Sequence, residues 1–435
     1  MDRPAPAPTL PAPPRRPLAT TRRLVKRVTC PHCWRRFAPE QVLWISRHAE
    51  LMGDQVAGPE AASRFLPTRF SIDGHALDAR GTPCHAVACP SCHLPVPRDL
   101  LEFEPLFISI IGVPFSGKSY YLTAMTWELR TLLPSKLALT FSDTDTVFNR
   151  SLNTNEETLF LGNDRNDIVA IRKTELQGEL YDNISLGQQK VSLPRPFLFT
   201  LRPTQRHPNA KVPGVSRVIC LYDNAGEHFQ PGMDTPAAPV THHLAKAPVL
   251  MFLYDPTQDM RFRKSCVAFS NDPQLDGTRP PQRQETILRE AALRVRTYTG
   301  TAATQKLDRV LLVLVGKSDY WEPLLPGVDI VTEPIVPLAD GTAAVDVPRI
   351  EAVSNAIKKL MTEQAPEFVA AAEAFCQQVV YIPVSALGRP PAQDATSGFI
   401  GIRPNDIKPR WVTVPILYTL AKWAGGTVRA VKPKT

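Results

Sequence analysis

Gly112-Val113-Pro114-Phe115-Ser116-Gly117-Lys118-Ser119 follows the pattern G-x4-G-K-[ST]. Its glycines let backbone N–H groups curl around phosphate oxygens. The Lys118 ammonium would reach the outer phosphates of a nucleotide, and the Ser119 hydroxyl would ligate Mg²⁺. The pattern has this meaning only between a strand and a helix. Here an apolar run, Leu106–Gly112, leads in, and a helical pattern beginning Tyr120-Tyr-Leu-Thr-Ala-Met leads out. Gly112, Phe115, Ser116, Gly117, Lys118, Ser119 and Tyr120 are therefore the expected phosphate-loop contacts. The competing reading is a glycine turn that happens to hold a lysine.

Three later segments decide which nucleotide. Val218–Asp223 is an apolar run ending in an acid that would hold Mg²⁺ through water, and it continues Asn224-Ala225-Gly226-Glu227-His228. In such a D-x-x-G, the glycine N–H touches the terminal phosphate and lets go after hydrolysis. Val310–Val315 runs into Gly316-Lys317-Ser318-Asp319. A carboxylate at Asp319 can accept from guanine N1–H and N2–H₂, which adenine does not present, while the Lys317 stem packs over the base. Tyr381–Val384 runs into Ser385-Ala386-Leu387, where the Ala386 N–H can donate to guanine O6. Each later motif is weak alone. Their order, each at the carboxyl end of a strand, would converge them on one site. Asp255 also ends an apolar run and is the alternative acid of an ATP-hydrolysing enzyme.

Cys30-Pro-His-Cys33 and Cys89-Pro-Ser-Cys92 are two C-x2-C pairs, enough for a closed tetrahedral zinc site. Buried free thiols are the alternative. Cys84, His32, His85 and His93 lie close enough in sequence to replace a ligand. A catalytic zinc does not fit, since all-cysteine sites leave no open position. The zinc unit reads as a protein dock or structural plug rather than a nucleic-acid module.

The chain has 435 residues and 44 prolines. Residues 1–29 hold seven basic residues against one acid, and the last seven hold three more. The body is close to neutral, so any nucleic-acid contact would come through the basic N-terminal arm alone, which could equally meet a membrane surface or another protein, or stay solvated. No apolar run approaches the ~20 residues of a membrane span, and no signal-peptide core is present. These features predict a cytoplasmic protein whose cysteines bind metal rather than pair.

The expected organisation is a disordered Pro/Arg-rich arm (1–27), a zinc-ribbon-like domain (28–104), a three-layer α/β domain with a mainly parallel sheet (105–425), and a basic tail (426–435). Strands are predicted at Leu106–Gly112, Phe197–Leu201, Arg217–Tyr222, Val249–Tyr254, Val310–Val315 and Val379–Val384. Helices are predicted at Lys118–Leu133, Gln284–Tyr298, Arg349–Thr362, Phe368–Gln377 and Val414–Ala424. The insertion at 140–196, polar around Asn149–Asn166, reads as the effector or switch region, and no internal sequence repeat is evident. Pro- and Gly-rich stretches (231–239, 271–281, 323–346, 389–409) read as insertions.

Over residues 106–425 these motifs resemble the P-loop GTPases of the translation-factor and Ras-like (TRAFAC) class. The CPxC pairs and large insertions are similar to bacterial double-GTPase proteins of multi-gene conflict systems. The resemblance implies a GTP/GDP-binding switch with Mg²⁺ and Zn²⁺, slow hydrolysis, and protein partners or self-association. It implies Lys118, Asp223, Gly226, Glu227 and His228 as the catalytic set. It leaves a non-hydrolysing nucleotide-bound scaffold and an ATPase as alternatives. Two positions depart from the class. Gly316 stands where Asn or Thr is usual, losing a side-chain hydrogen bond. Glu227 stands where a water-orienting Gln is usual, as a base or as a charge that slows hydrolysis. His228 is then either a water-positioner or a solvated side chain. The threonine completing the Mg²⁺ shell stays open among Thr144, Thr146, Thr154, Thr158, Thr174 and Ser192.

Overall fold

The computed structural model describes residues 24–431 apart from 163, 172–177, 179, 225, 231–238, 240, 271, 276–281 and 394–399. Most of the predicted arm, Thr174, Ala225 and most of the 231–239 insertion lie outside the described residues.

The body is a seven-stranded sheet. In chain order its elements are β1 (Glu104–Ile111), α1 (Lys118–Lys136), β2 (Leu139–Asp143), β3 (Phe197–Pro203), β4 (Arg217–Asp223), β5 (Val249–Tyr254), α2 (Gln284–Thr299), β6 (Leu307–Val315), α3 (Val347–Gln364), α4 (Pro366–Phe375), β7 (Cys376–Pro383) and α5 (Val414–Trp423). The strand order is β2-β3-β4-β1-β5-β6-β7. β4, β1, β5, β6 and β7 run parallel, and β2 and β3 add an antiparallel edge. The central strands are buried along their length because helices cover both faces. In β5 all six residues, Val-Leu-Met-Phe-Leu-Tyr, are 2% exposed or less.

Register sets the functional edge. Asp223 lies opposite Ile110, Phe252 opposite Ile111, Tyr254 opposite Val315, and Val315 opposite Pro383. The loops after β1, β4, β5, β6 and β7 therefore leave the sheet along one carboxyl edge. From β1 the chain passes to β2, β3 and β4 on one side and then crosses β1 to β5 on the other, a topological switch point that opens a crevice.

Several elements differ from the sequence expectation. β2 was not expected: it is a five-residue edge strand stacking Phe141 on Phe199 of β3 at 4.6 Å. The polar stretch after Asn149, for which no element was expected, is partly helical. Arg150–Glu156 is helical, continues as a wider turn to Leu161, and packs on α1. Its anchors are Trp127 stacked on Phe160 at 4.8 Å and Arg130 paired with Asp143 and Glu156. A hairpin, Tyr181–Leu186 with Gln189–Pro194, follows. The chain after Ala424 is packed as far as it is described. Arg429 and Val431 bond the backbone of Val345, and Arg429 pairs with Asp340 at 2.8 Å. No described helix is long and apolar enough to cross a membrane.

Candidate functional site

The two cysteine pairs sit in matching turns. Val28-Thr-Cys-Pro-His-Cys-Trp-Arg-Arg-Phe37 and Val87-Ala-Cys-Pro-Ser-Cys-His-Leu-Pro-Val96 are a ten-residue repeat, so the expectation of no internal repeat is corrected. In each, short strands pair across the turn, and the residue after the second cysteine is left-handed (Trp34 φ 57°, His93 φ 58°). Backbone N–H groups of His32 and Ser91 point at Cys30 Sγ and Cys89 Sγ, at 3.4 and 3.3 Å. All four sulfurs lie within 4.8 Å of one another, and the Cys30–Cys92 and Cys33–Cys89 distances are both 3.7 Å. A tetrahedron with metal–sulfur bonds of ~2.3 Å has edges of about 3.8 Å, so the cluster is compatible with zinc. The spare donors do not join it. Cys84 points at Asp78, His85 faces His75 at 3.2 Å, and His93 pairs with Asp54 at 2.9 Å. His32 is buried, donates to or accepts from nothing in the cluster through its ring, and lies 3.1 Å from the Pro95 carbonyl.

The cluster packs against the sheet's functional edge. Trp34 donates its indole N–H to Tyr222 Oη at 3.1 Å, and Tyr222 Oη donates to the Pro31 carbonyl. Tyr222 also stacks on His243 at 4.5 Å, nearly parallel. Tyr222 is the residue before Asp223.

After β1, Phe115 and Gly117 are left-handed (φ 62° and 87°), which curls the loop before α1 starts at Lys118. Lys118 Nζ donates to the Gly112 and Val113 carbonyls at 3.1 and 3.4 Å. Ser119 Oγ donates to Asp223 Oδ2 at 3.3 Å, placing two hard oxygen donors together as Mg²⁺ requires. Gly226 lies flat on this loop. A Cβ there would fall 2.4 Å from Pro114 N, so no other residue fits.

A cavity of about 290 Å³ opens at this edge. Phe115–Tyr120, Gly226 and Glu227 line one end, and Lys317, Asp319 and Ser385–Leu387 line the other. Ser385 Oγ donates to Asp319 Oδ1, and burial pushes the Asp319 carboxyl above its usual range. Ser385 itself is held by paired backbone bonds to Arg410 at 2.9 and 3.0 Å. Gly316 N donates to the Tyr254 carbonyl at 2.8 Å, and a Cβ on Gly316 would sit 3.1 Å from that oxygen. A larger residue would fit there with a shift of a few tenths of an ångström at the end of β5.

Three expected residues do not line the cavity. Gly112 lies beneath the loop, where a Cβ would meet Ser116 Oγ and the Leu253 carbonyl at 3.0 Å. Asp223 is not on the cavity wall and accepts from Ser119, which is. His228 is buried and turned away, with Nδ1 2.9 Å from Tyr181 Oη and its carbonyl accepting from Arg294. It is therefore not a solvated side chain. Asp255 does not face the loop lysine either. It holds Lys317 Nζ at 3.0 Å, Thr257 N at 3.0 Å and Gln258 Nε2 at 3.0 Å. Of the open threonines, Thr144 bonds Thr200 at 2.8 Å and Thr158 bonds the Thr154 carbonyl, and neither lines the cavity.

Residues without a motif complete the wall: Ile171, Asp272, Gln274, Arg389 and Ile400–Ile402. Ile171 N donates to Tyr120 Oη at 3.2 Å, and Val169 exchanges two 2.9 Å backbone bonds with Ile402. No sequence signal marks these loops.

Fold and site together define a mixed α/β protein with a P-loop-like domain and a four-cysteine cluster compatible with zinc. No family model matches the chain, and no curated protein matches it. Among solved structures it is similar to a crystal structure of Sup35 complexed with GDP, at 12% identity and a TM-score of 0.23. That match covers 65% of this chain but only 38% of the other, so the chain spans well under half the length of that protein.

Proposed function

We propose that this chain is a guanine-nucleotide switch that takes GTP with Mg²⁺ in the cavity at the sheet's carboxyl edge and hydrolyses it slowly. The supporting observation is the gathering of Lys118, Gly226, Asp319 and Ser385–Leu387, distant in sequence, around one cavity. Lys118 would exchange the Gly112 and Val113 carbonyls for phosphate oxygens. Phosphoryl transfer depends on this kind of positioning and charge neutralisation. Ser119 and Asp223 would hold Mg²⁺, which neutralises charge on the outer phosphates. Asp319 would accept from guanine N1–H and N2–H₂, and the Ala386 N–H would donate to O6. Glu227 lines the phosphate end with a carboxylate, which supports slow turnover until a protein partner or second copy contributes. The four cysteines would hold structural zinc, with no open position for chemistry.

The test is extraction. The purified protein is denatured and its released nucleotide and metal identified, then GTP and ATP are titrated against wild type and Lys118→Ala. Guanine nucleotide, about one zinc per chain, and GTP binding lost in Lys118→Ala are expected. Adenine nucleotide, or no GTP binding, overturns the guanine reading. A non-hydrolysing scaffold is the second reading, favoured by His228 facing Tyr181 rather than the cavity. No phosphate release over hours in a single-turnover assay decides for it.

A further inference from the structure

The nucleoside end of the cavity holds more acid than the G-K-x-D segment supplies. Asp319, Asp255 and Asp272 surround a single ammonium, Lys317. The nearby guanidinium groups are already matched: Arg389 pairs with Asp406 and Arg410 with Glu322, both at 2.8 Å. Lys317 is itself divided among Asp255 Oδ2 at 3.0 Å, Thr257 Oγ1 at 2.8 Å and Gln274 Oε1 at 2.8 Å. None of these three partners is Asp272.

Asp272 comes from the segment between β5 and α2, beyond a short helix at Met260–Cys266, lines the cavity, and is 5% exposed. Its Oδ1 accepts from Gln274 N at 2.8 Å, and its own N–H donates to Ser270 Oγ at 3.2 Å. These bonds fix the carboxylate on the cavity wall beside Gln274, whose amide oxygen faces Lys317. An ionised carboxylate offers about four lone-pair sites and no donor, so the one N–H it accepts from among the described residues, that of Gln274, leaves acceptor capacity over. Burial raises its pKa, as expected of an acceptor without enough donors.

We infer that Asp272 is a second nucleoside-reading residue, which accepts a hydrogen bond from a donor on the bound nucleoside and shares selectivity with Asp319. This rests on the nucleotide reading above. The donor has two sources, a ribose hydroxyl or the guanine 2-amino group. Both suit a wall rich in acceptors, while the phosphate end, with Lys118 and the loop N–H groups, is rich in donors. A nucleotide carries the complement, acceptor oxygens on its phosphates and donors on its nucleoside. With Gly316 contributing no side chain, the segment between β5 and α2 supplies the extra contact.

The experiment measures dissociation constants by calorimetry for full-length wild type, Asp272→Asn, Asp319→Ala and Lys118→Ala. The nucleotides are GTP, ITP (no 2-amino group), ddGTP (no ribose hydroxyls) and ddITP (neither). Asp272→Asn is expected to weaken GTP about tenfold and to leave ddITP unchanged. If the 2-amino group is the donor, ITP shows no difference between wild type and variant and ddGTP keeps it. If a ribose hydroxyl is the donor, the pattern reverses. Equal binding of GTP by wild type and Asp272→Asn overturns the inference while leaving the guanine reading standing. So does the same tenfold loss on all four nucleotides, which marks a merely structural role. No nucleotide binding by wild type overturns both. Should Asp272→Asn not fold, as read by its thermal transition, wild type alone decides: equal affinity for GTP, ITP and ddGTP overturns the inference.

Discussion

The Lys317 ammonium lies 3.0 Å from Asp255 Oδ2, and Gln258 bonds the same carboxylate oxygen at 3.0 Å while donating to the Pro114 carbonyl at 3.1 Å. The segment after β6 is thereby tied through the loop after β5 to the phosphate loop after β1. Gly316 has no side chain to make such a tie. Asp255, 1% exposed, makes it instead.

Asp255→Asn tests this connection. It removes the charge that holds Lys317 but keeps the shape of the turn at Thr257. Because Lys317 is partly exposed, it can turn toward water, so the stability loss is expected near ~2 kcal/mol rather than the ~3–5 of a fully buried broken pair. Nucleotide affinity should fall about tenfold with it. Urea unfolding and nucleotide titration read the two effects. An unchanged affinity would show that the two ends of the cavity are held independently.

Much of this site was legible because each chemical residue closes a buried apolar strand. β5 matches its sequence reading residue for residue, and β1, β4, β6 and β7 differ by a few residues at their ends. What was not legible lies where no period or motif operates. β2 is five residues long, with Thr140 exposed at a sheet edge. The helix at Arg150–Glu156 is polar in sequence because it buries one apolar residue, Leu152, and is otherwise anchored by Glu156, which pairs with Arg130. For His228 the sequence leaves open a water-positioner or a solvated side chain, and only the short helical turn at Gly226–Phe229, which sets it against Tyr181, tells where it sits. Asp272 and Gln274 reach the cavity from a loop whose sequence says only turn.

Gly226→Ala should separate binding from switching. Its Cβ would meet Pro114 N at 2.4 Å and the Val113 carbonyl carbon at 2.7 Å, both backbone, so the segment must lift off the phosphate loop. The sheet is untouched, and the thermal transition should drop by only a few degrees, as for a loss of ~1 kcal/mol. Limited proteolysis of wild type is expected to differ between GDP and GTP within this segment, and Gly226→Ala should abolish the difference. A variant that keeps the nucleotide-dependent pattern would show that Gly226 is not the switch contact.

Zinc removal should reach the nucleotide site through Trp34. The indole–Tyr222 bond and the Pro31 carbonyl bond join one cysteine turn to the residue before Asp223. A strong chelator is expected to release about one zinc per chain and to speed nucleotide dissociation. Trp34→Phe keeps the four sulfurs, so it should retain the metal while showing part of that acceleration. Metal content by mass spectrometry and stopped-flow dissociation measure both. Retained zinc with an unchanged dissociation rate in Trp34→Phe would leave the cluster as a plug without influence on the site.

Glu333 gives the fold a pH slope of defined sign. It accepts from Trp411 N at 3.0 Å and Thr413 Oγ1 at 3.4 Å, and burial pushes its carboxyl up to about 7. In the unfolded chain it titrates near ~4.3. Between these values the folded state binds the proton more tightly, so this residue's contribution to stability falls as pH rises from about 4 to about 7. The change amounts to a few kcal/mol at most, at ~1.4 kcal/mol per pH unit. Glu333→Gln keeps an acceptor and removes the titration. Its stability relative to wild type should therefore be greater at pH 8 than at pH 5, read as urea midpoints at both. Because Trp411 follows Arg410, whose backbone holds Ser385, the same variant should also flatten any pH dependence of nucleotide affinity in that range. Midpoints that shift equally at both pH values would show that Glu333 is ionised in the folded protein throughout.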